Sequence, residues 1–253
     1  MANYKTLNIE NFKISIFRDY DSMSQRAAEI IAEQISSKKD SVIGFATGST
    51  PEGTYRVLSD MYRAGNVDFS RVTAVNLDEY YPIKKSNNQS YDYFMKEKLF
   101  SHVNINAEKL NIPNGEAPDA KAECMAYEEK IKIAGGIDLQ ILGIGANGHI
   151  GFNEPGGDFV KNTHLVELDE STIEANARFF DNKDDVPKNA LTMGIKTIMA
   201  AKKILLVANG ANKAEAIRKM IFGEIDPMVQ SSILALHTDV EILIDEAAAK
   251  ELI

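Results

Sequence analysis

The sequence is short of cysteine and of positive charge. Cys124 is its one cysteine among 253 residues, so neither an intrachain disulfide nor a cysteine-rich metal site can form. We expect the Cys124 thiol to be buried and reduced, because its predicted helical setting offers no base to activate it. The formal net charge of −9 argues against general nucleic-acid binding. Any anionic substrate must therefore meet a local cluster of positive groups.

Long apolar runs are also lacking. No stretch approaches the ~20 apolar residues that a membrane span needs, and the first residues, MANYKTLNIENFKISIF, show no signal-peptide pattern. These features predict no membrane association and a cytoplasmic location. The sequence has no internal repeat, low-complexity tract or proline-rich linker, so we predict a single domain over residues 1–253.

Short apolar runs alternate with segments of helical period. The pattern predicts buried strands at 41–46, 72–77, 137–145 and 203–208, and amphipathic helices at 21–37, 52–64, 116–134 and 213–222. The strands lack polar alternation, which indicates burial on both faces. We predict an α/β fold: an open, doubly wound, mostly parallel sheet sandwiched by helices, of modified Rossmann type. Ligands of such sheets bind beyond the carboxyl ends of the strands, so the loops there are where we look for chemistry.

The loop after the first of these strands has the composition of an anion site. Residues 46–56, ATGSTPEGTYR, lead into a helix. Free N–H groups and the positive end of the helix dipole would face an anion, and Gly48, Ser49 and Thr50 allow close approach and add hydroxyl donors. The alternative is an ordinary helix cap formed by Ser49 or Thr50.

Two cations could complete such a site. Lys213 lies near the start of the helix that follows the fourth strand, where a cation is unfavourable unless an anion binds there. Arg178 lies beside two phenylalanines in NARFFD and could hold a phosphate through two hydrogen bonds. A solvated lysine and a surface arginine stacked on an aromatic ring are the alternatives.

The loop NLDEYYP, residues 76–82, is expected to follow the second strand directly. It would place Asp78 and Glu79 at the carboxyl end of that strand, where a carboxylate can act as a general base. An aspartate beside a turn also commonly serves only as a hydrogen-bond acceptor for the backbone.

The loop LGIGANGHIGFNEPGG, residues 142–157, brings Asn147, His149 and Glu154 among glycines. A carboxylate close to a histidine can orient the ring and raise its basicity. The GxGxxG pattern here is typical of dinucleotide sites only where a helix follows, and the proline and glycines downstream make a long helix improbable. A structural histidine and a metal site remain as alternatives, although no metal-ligand spacing recurs.

Over essentially the whole chain the sequence resembles the glucosamine-6-phosphate deaminase (isomerase) family. The matching segments are ATGSTPEGTYR, VNLDEYYP, SYDYFM, LGIGANGHIGFNEPG, ANARFF, VPKNALTMGI, KAEAIRK and ALHTDVEILID. The resemblance implies an enzyme that isomerises and deaminates an amino-sugar phosphate without a cofactor. Its partner would then be a small molecule. The related 6-phosphogluconolactonases share the fold but usually lack the FNEP segment.

The resemblance also implies roles for individual residues. Asp78 would move a proton from C2 to C1, and His149 would assist ring opening, with Asn147 and Glu154 positioning it. The phosphate would be held by the loop Gly48–Thr50 with Arg178 and Lys213.

This chain departs from the family pattern at two positions, and two further positions bear on regulation. Ser49 replaces a glycine found in many members, and Asn162 stands where arginine is usual. Members activated by N-acetylglucosamine 6-phosphate carry basic residues where this chain has His164 and Val166. We therefore expect no activation, and a monomer or small homo-oligomer. The preference between glucosamine and galactosamine phosphates stays open.

The same fold occurs as the sensing half of bacterial transcription regulators. Those proteins carry a helix-turn-helix before the first strand, whereas here a further apolar run, KISIF, lies ahead of the four strands named above and is expected to begin the sheet within about twenty residues. This spacing favours an enzyme over a regulator.

Overall fold

Residues 4–252 are described by a computed structural model and form an eight-stranded sheet, a separate three-stranded sheet and surrounding helices. The strands, β1 to β11 in chain order, are Tyr4–Ile9, Phe12–Phe17, Val42–Phe45, Thr73–Asn76, Asp78–Tyr81, Leu110–Asn111, Leu139–Leu142, His164–Glu167, Asn189–Thr192, Lys203–Ala208 and Val240–Asp245. The helices, α1 to α7, are Tyr20–Ser37, Glu52–Arg63, Tyr91–Lys98, Ala120–Ile133, Glu170–Asn176, Ile195–Met199 and Ala214–Phe222. Short 3-10 turns join several of these elements, among them Ala177–Phe179 and Ala211–Lys213.

The large sheet has the order β1-β2-β11-β10-β7-β3-β4-β6. Only β1 and β2 pair antiparallel, and the other neighbours pair parallel. The chain runs outward from β3 through β4 to β6 and then returns to β7 on the other side of β3. The strand order thus reverses between β3 and β7, the place where open α/β sheets bind ligands.

The core surrounds the large sheet on both faces. All four residues of β3 and of β7 are buried, as expected for strands covered by helices on both sides. The longest helix, α1, begins where the Asp19 carboxylate accepts the Ser22 N–H, and it buries a stripe that includes Met23, Ala27 and Ile31. The predicted doubly wound, mostly parallel α/β architecture is confirmed.

The three-stranded sheet, of order β5-β9-β8, was not predicted. Residues 78–81, which we expected in a loop, form β5 and pair with β9 from more than a hundred residues later. The sequence DEYY has no apolar alternation, so its strand conformation depends on that distant partner and not on a local pattern. Asp78 therefore begins a second strand, separated from β4 by one residue, rather than lying in a turn.

Of two smaller expectations, the start of the fourth helix was wrong and the burial of Cys124 is confirmed. The fourth helix begins at Ala120, not at residue 116, because Asp119 caps it by accepting the N–H groups of Lys121 and Ala122. Cys124 is buried, as predicted, and burial raises the pKa of its thiol to about 11, so the thiol stays protonated. In the described residues no helix is both long and apolar enough to cross a bilayer.

Candidate active site

The loops that the sequence singled out follow four neighbouring strands. β10, β7, β3 and β4 lie side by side and parallel, so their carboxyl ends open at one edge of the sheet. The loops after β3 and β7 flank the point where the strand order reverses. Segments far apart in the sequence are thereby brought to one cleft.

His149, Glu154 and Asn147 form a closed hydrogen-bonded group. The Glu154 Oε2 atom accepts hydrogen bonds from His149 Nδ1 at 3.0 Å and from Asn147 Nδ2 at 2.9 Å. The His149 backbone N–H donates to Asn147 Oδ1 at 3.2 Å. We assign the ring proton to Nδ1, since Glu154 is the acceptor there, which leaves Nε2 with a free lone pair. The structure thus brings these three residues into contact, and their catalytic role stays a prediction.

The charge state of Glu154 suits this arrangement. Burial acts to raise the pKa of Glu154, but the hydrogen bond and charge of His149, with the hydrogen bond from Asn147, bring it below its ordinary value. A carboxylate therefore faces His149 near neutral pH. It can orient the ring and stabilise the imidazolium that forms when Nε2 takes up a proton.

The backbone around His149 is a tight turn and not the start of a helix. Ile150 and Asn153 form an isolated bridge, and the next helix of the described chain begins only at Glu170. Gly151 has a positive φ of 59°, and a Cβ there would lie 2.9 Å from Thr192 Oγ1. A dinucleotide site would need a helix at this point, so the GxGxxG pattern is coincidental.

Asp78 lies against this turn, at the first position of β5. It pairs with Thr192 of β9, and the Thr192 hydroxyl accepts the Phe152 N–H at 2.9 Å. The Asp78 Oδ2 atom is 3.5 Å from the point where a Cβ on Gly151 would stand. The second sheet thus holds the Asp78 carboxylate beside the loop that carries His149.

The two adjacent carboxylates, Asp78 and Glu79, have different surroundings. Neighbouring residues of a strand point to opposite faces, and Glu79 accepts the N–H groups of Tyr80, Tyr91 and Asp92 at 2.8–2.9 Å. Glu79 therefore caps the start of α3. The Asp78 carboxylate accepts no hydrogen bond from residues 4–252.

Asp78 is consequently hard to ionise in the free protein. The residue is 6% exposed, and burial, followed by repulsion from Glu79, raises its pKa to about 8. Burial also raises the pKa of Glu79, to about 7, against the effect of its three N–H donors. A buried carboxylate with such a pKa is well matched to a general base that works near neutrality.

The predicted anion-binding residues come together across the cleft. The Ser49 hydroxyl lies 3.4 Å from Nη2 of Arg178, whose guanidinium stacks on Phe179 at 4.6 Å. Lys213 is half-buried, and burial, followed by the charge of Arg178, lowers its pKa. Two cations that repel each other at one place create a field that an anion would relieve.

The loop after β3 adds backbone donors to these cations. Within the described chain, the N–H groups of Gly48, Ser49 and Thr50 donate no hydrogen bond. The Thr50 hydroxyl donates to Asn209 Oδ1 at 2.7 Å, which ties this loop to the one after β10. Asn209 was not among the predicted site residues, although the Asn-Gly pair at 209–210, directly after a strand, was a usable signal.

A cluster of aromatic side chains surrounds Tyr80, two residues from Asp78 on β5, and was not predicted either. Tyr80 contacts Tyr91, Phe152 and Phe180, with ring centroids 4.9–5.8 Å apart. These residues come from four separate segments, and no local pattern connects them.

The fold and a match to a family model define the class of this protein, an enzyme that acts on a sugar phosphate. Residues 19–233 match the family model described as glucosamine-6-phosphate isomerases/6-phosphogluconolactonase, and the chain belongs to this family.

Individual relatives narrow the comparison. The chain is 57% identical to a glucosamine-6-phosphate deaminase of Clostridioides difficile (strain 630) over 240 residues, covering 95% of this chain and 96% of that protein. It is 55% identical to one of Clostridium novyi (strain NT), covering 95% of this chain and all of that protein.

Solved structures give the same picture. A monomeric glucosamine-6-phosphate deaminase of the NagB superfamily superposes with a TM-score of 0.92 at 47% identity, over 94% of this chain and 99% of that one. A 6-phosphogluconolactonase from Thermotoga maritima has a TM-score of 0.74 at 19% identity, over 93% of this chain and all of that one, and shares the fold alone.

Proposed function

We propose that this protein is a glucosamine-6-phosphate deaminase, converting glucosamine 6-phosphate and water to fructose 6-phosphate and ammonia in amino-sugar catabolism. The observation that carries the proposal is a histidine, paired with Glu154 and Asn147, beside the buried and unpaired carboxylate of Asp78. The identity of 57% to a protein of that name supports the same reaction.

The phosphate is the part of the substrate that does not react. The N–H groups and hydroxyls of residues 48–50, with Arg178 and Lys213, are suited to hold its two negative charges. Binding energy from this remote group can then fix C1 and C2 of the sugar in reactive geometry.

Ring opening comes first, because the C2 hydrogen becomes acidic only beside the free aldehyde. His149 Nε2 takes the proton of the C1 hydroxyl while the bond between C1 and the ring oxygen breaks, and the ring oxygen receives a proton in return. Glu154 and Asn147 hold the ring of His149 in the tautomer that this step requires.

Isomerisation and deamination follow. Asp78 removes the C2 proton, and the electrons of that bond form the C1–C2 double bond of an enolamine. The π electrons of the C1 aldehyde move to its oxygen, which takes a proton from the substrate's ammonium, and Asp78 then delivers its proton to C1. The resulting iminium at C2 adds water and releases ammonia. The substrate's own ammonium beside Asp78 favours the carboxylate form of that residue in the complex. The aldehyde supplies the acidity, so this route needs no metal or nucleotide.

Location and assembly belong to the same proposal. A sugar phosphate is a dianion that a bilayer excludes, so we place the enzyme in the cytoplasm with its substrate. The structural neighbour of 47% identity is described as monomeric, which favours a monomer over a small oligomer. The net charge of −9 argues against a nucleic-acid partner.

Lactone hydrolysis is the second candidate, because the family includes 6-phosphogluconolactonases. The deciding experiment measures ammonia release from glucosamine 6-phosphate and hydrolysis of 6-phosphogluconolactone side by side, with galactosamine 6-phosphate as a further substrate. We expect ammonia release from the glucosamine phosphate. Lactone hydrolysis without ammonia release would overturn the proposal.

A further inference from the structure

Tyr20, the first residue of α1, is bound to the loop that carries the anion-binding N–H groups. Its hydroxyl accepts the Gly53 N–H at 2.7 Å and lies 3.1 Å from the carbonyl oxygen of Ser49 and 3.0 Å from that of Thr50, to which it can donate. One side chain therefore connects three peptide groups of this loop. None of the motifs in the sequence includes Tyr20.

This contact replaces a missing helix cap. Helix α2 begins after Pro51, which provides no side-chain cap, and the first N–H groups of a helix need acceptors from outside it. The Tyr20 hydroxyl is that acceptor for Gly53. A Cβ on Gly53 would stand 2.9 Å from carbon atoms of the Tyr20 ring, so only glycine lets the ring approach this closely.

The same contact sets the direction of the loop's peptide groups. The C=O and N–H of one peptide unit point in opposite directions, because the unit is planar and trans. When the Ser49 carbonyl points to Tyr20, the Thr50 N–H points the other way. The Ser49 carbonyl oxygen, which would repel a phosphate, is thus held on the side of the loop opposite the free Thr50 N–H, and the Thr50 carbonyl oxygen is held on Tyr20 as well.

We propose that Tyr20 is a positioning residue for the phosphate: its hydroxyl keeps the loop at residues 49–53 in the orientation in which N–H groups, and not carbonyl oxygens, face the substrate. This inference rests on the proposed function for the identity of the anion. Tyr20 itself does not touch the reacting carbons, so its effect falls on binding and not on the chemical step.

Tyr20→Phe tests this idea, because it removes the hydroxyl and keeps the ring packed on Gly53. We expect KM for glucosamine 6-phosphate to rise about threefold to tenfold, the scale of one lost hydrogen bond, with kcat within about twofold. The inhibition constant of inorganic phosphate, measured as a competitive inhibitor, should rise by the same factor. Tyr62→Phe is the matched control, since Tyr62 is half-buried on α2 and its hydroxyl has no hydrogen-bond partner among the described residues.

Unchanged KM and phosphate inhibition in Tyr20→Phe would overturn the inference, as would a fall in Tm or kcat with no change in either constant. Direct titration with inorganic phosphate separates this result from the proposed function. If the wild type binds phosphate, releases no ammonia, and binds phosphate more weakly after Tyr20→Phe, the deaminase proposal fails and the role of Tyr20 stands.

Discussion

The two ends of the cleft use opposite kinds of groups. At the proposed phosphate end, backbone N–H groups lie in the loop after β3, the half-buried Lys213 follows β10, and the exposed Arg178 lies in the turn after α5. At the other end, buried carboxylates are held by the second sheet, and Asp78 has a pKa of about 8. In the proposed reaction, one end must recognise a charge that stays constant, while the other must change its own charge. Burial would disfavour the charged form of the cations at the phosphate end. At the other end, burial raises the pKa of Asp78 to the range that a general base needs.

The largest expected effect comes from Asp78→Asn, which keeps the shape but removes the base. We expect kcat for ammonia release to fall ~10²–10⁴-fold with substrate binding nearly intact. The stability of this variant should rise, because it removes a buried carboxylate that has no hydrogen-bond partner among residues 4–252. A gain of about 1 kcal/mol corresponds to about 2–4 °C in Tm.

The sign of the stability change depends on pH. The pKa of Asp78 is higher in the folded than in the unfolded chain, so wild-type stability falls as pH rises from about 4 towards about 8. The advantage of the asparagine variant should therefore grow over that window. Glu79→Gln is the control: it should lower Tm by disturbing three N–H contacts while leaving most of the activity. Wild-type ammonia release by Asp78→Asn would remove Asp78 from the mechanism.

The next effect concerns the phosphate end. Arg178→Ala and Lys213→Ala should each raise KM for glucosamine 6-phosphate about 10- to 100-fold, from the loss of a charge-assisted contact of about 1.5–3 kcal/mol. Activity towards unphosphorylated glucosamine, however slow, should change little. Equal losses for both sugars would show that these cations do not hold the phosphate.

A smaller effect is expected in the pH dependence of kcat/KM, which depends on both Asp78 and its neighbour Glu79. Because Asp78 must be ionised, kcat/KM should rise about tenfold per pH unit below about 8 and then level off. Repulsion by Glu79 contributes to the raised pKa of Asp78, so Glu79→Gln should reach its plateau at a lower pH. A wild-type profile that is flat between pH 6.5 and 8 would contradict this assignment.

The smallest expected effect is none at all. N-acetylglucosamine 6-phosphate at millimolar concentration should leave the substrate-saturation curve hyperbolic and unshifted. His164 and Val166 lie in β8, and burial lowers the pKa of His164, so neither supplies a fixed cation for a second phosphate. A sigmoidal curve that becomes hyperbolic with this ligand would show a regulatory site.

Local patterns in the sequence were sufficient for the large sheet and for most of the site's membership. Apolar runs without alternation identified β3, β4, β7 and β10, since strands buried on both faces need no polar side. Parallel strands open at one edge, so Ser49, His149 and Lys213 were correctly expected at neighbouring loops. The cluster of Asn147, His149 and Glu154 lies within eight residues, and so short a segment can be interpreted without knowing the fold.

Only the tertiary structure showed the features that depend on contacts between residues far apart in the sequence. Asp78 is a buried strand residue only because β9, more than a hundred residues later, pairs with it, and its pKa follows from that burial. Tyr20 reaches residues 49–53 across 29–33 positions of chain, with no motif to mark the contact. The sequence by itself shows which side-chain and backbone groups a turn or a strand contains. Desolvation and hydrogen-bond direction depend on what packs there from elsewhere, and these determine whether a carboxylate becomes a base or a helix cap.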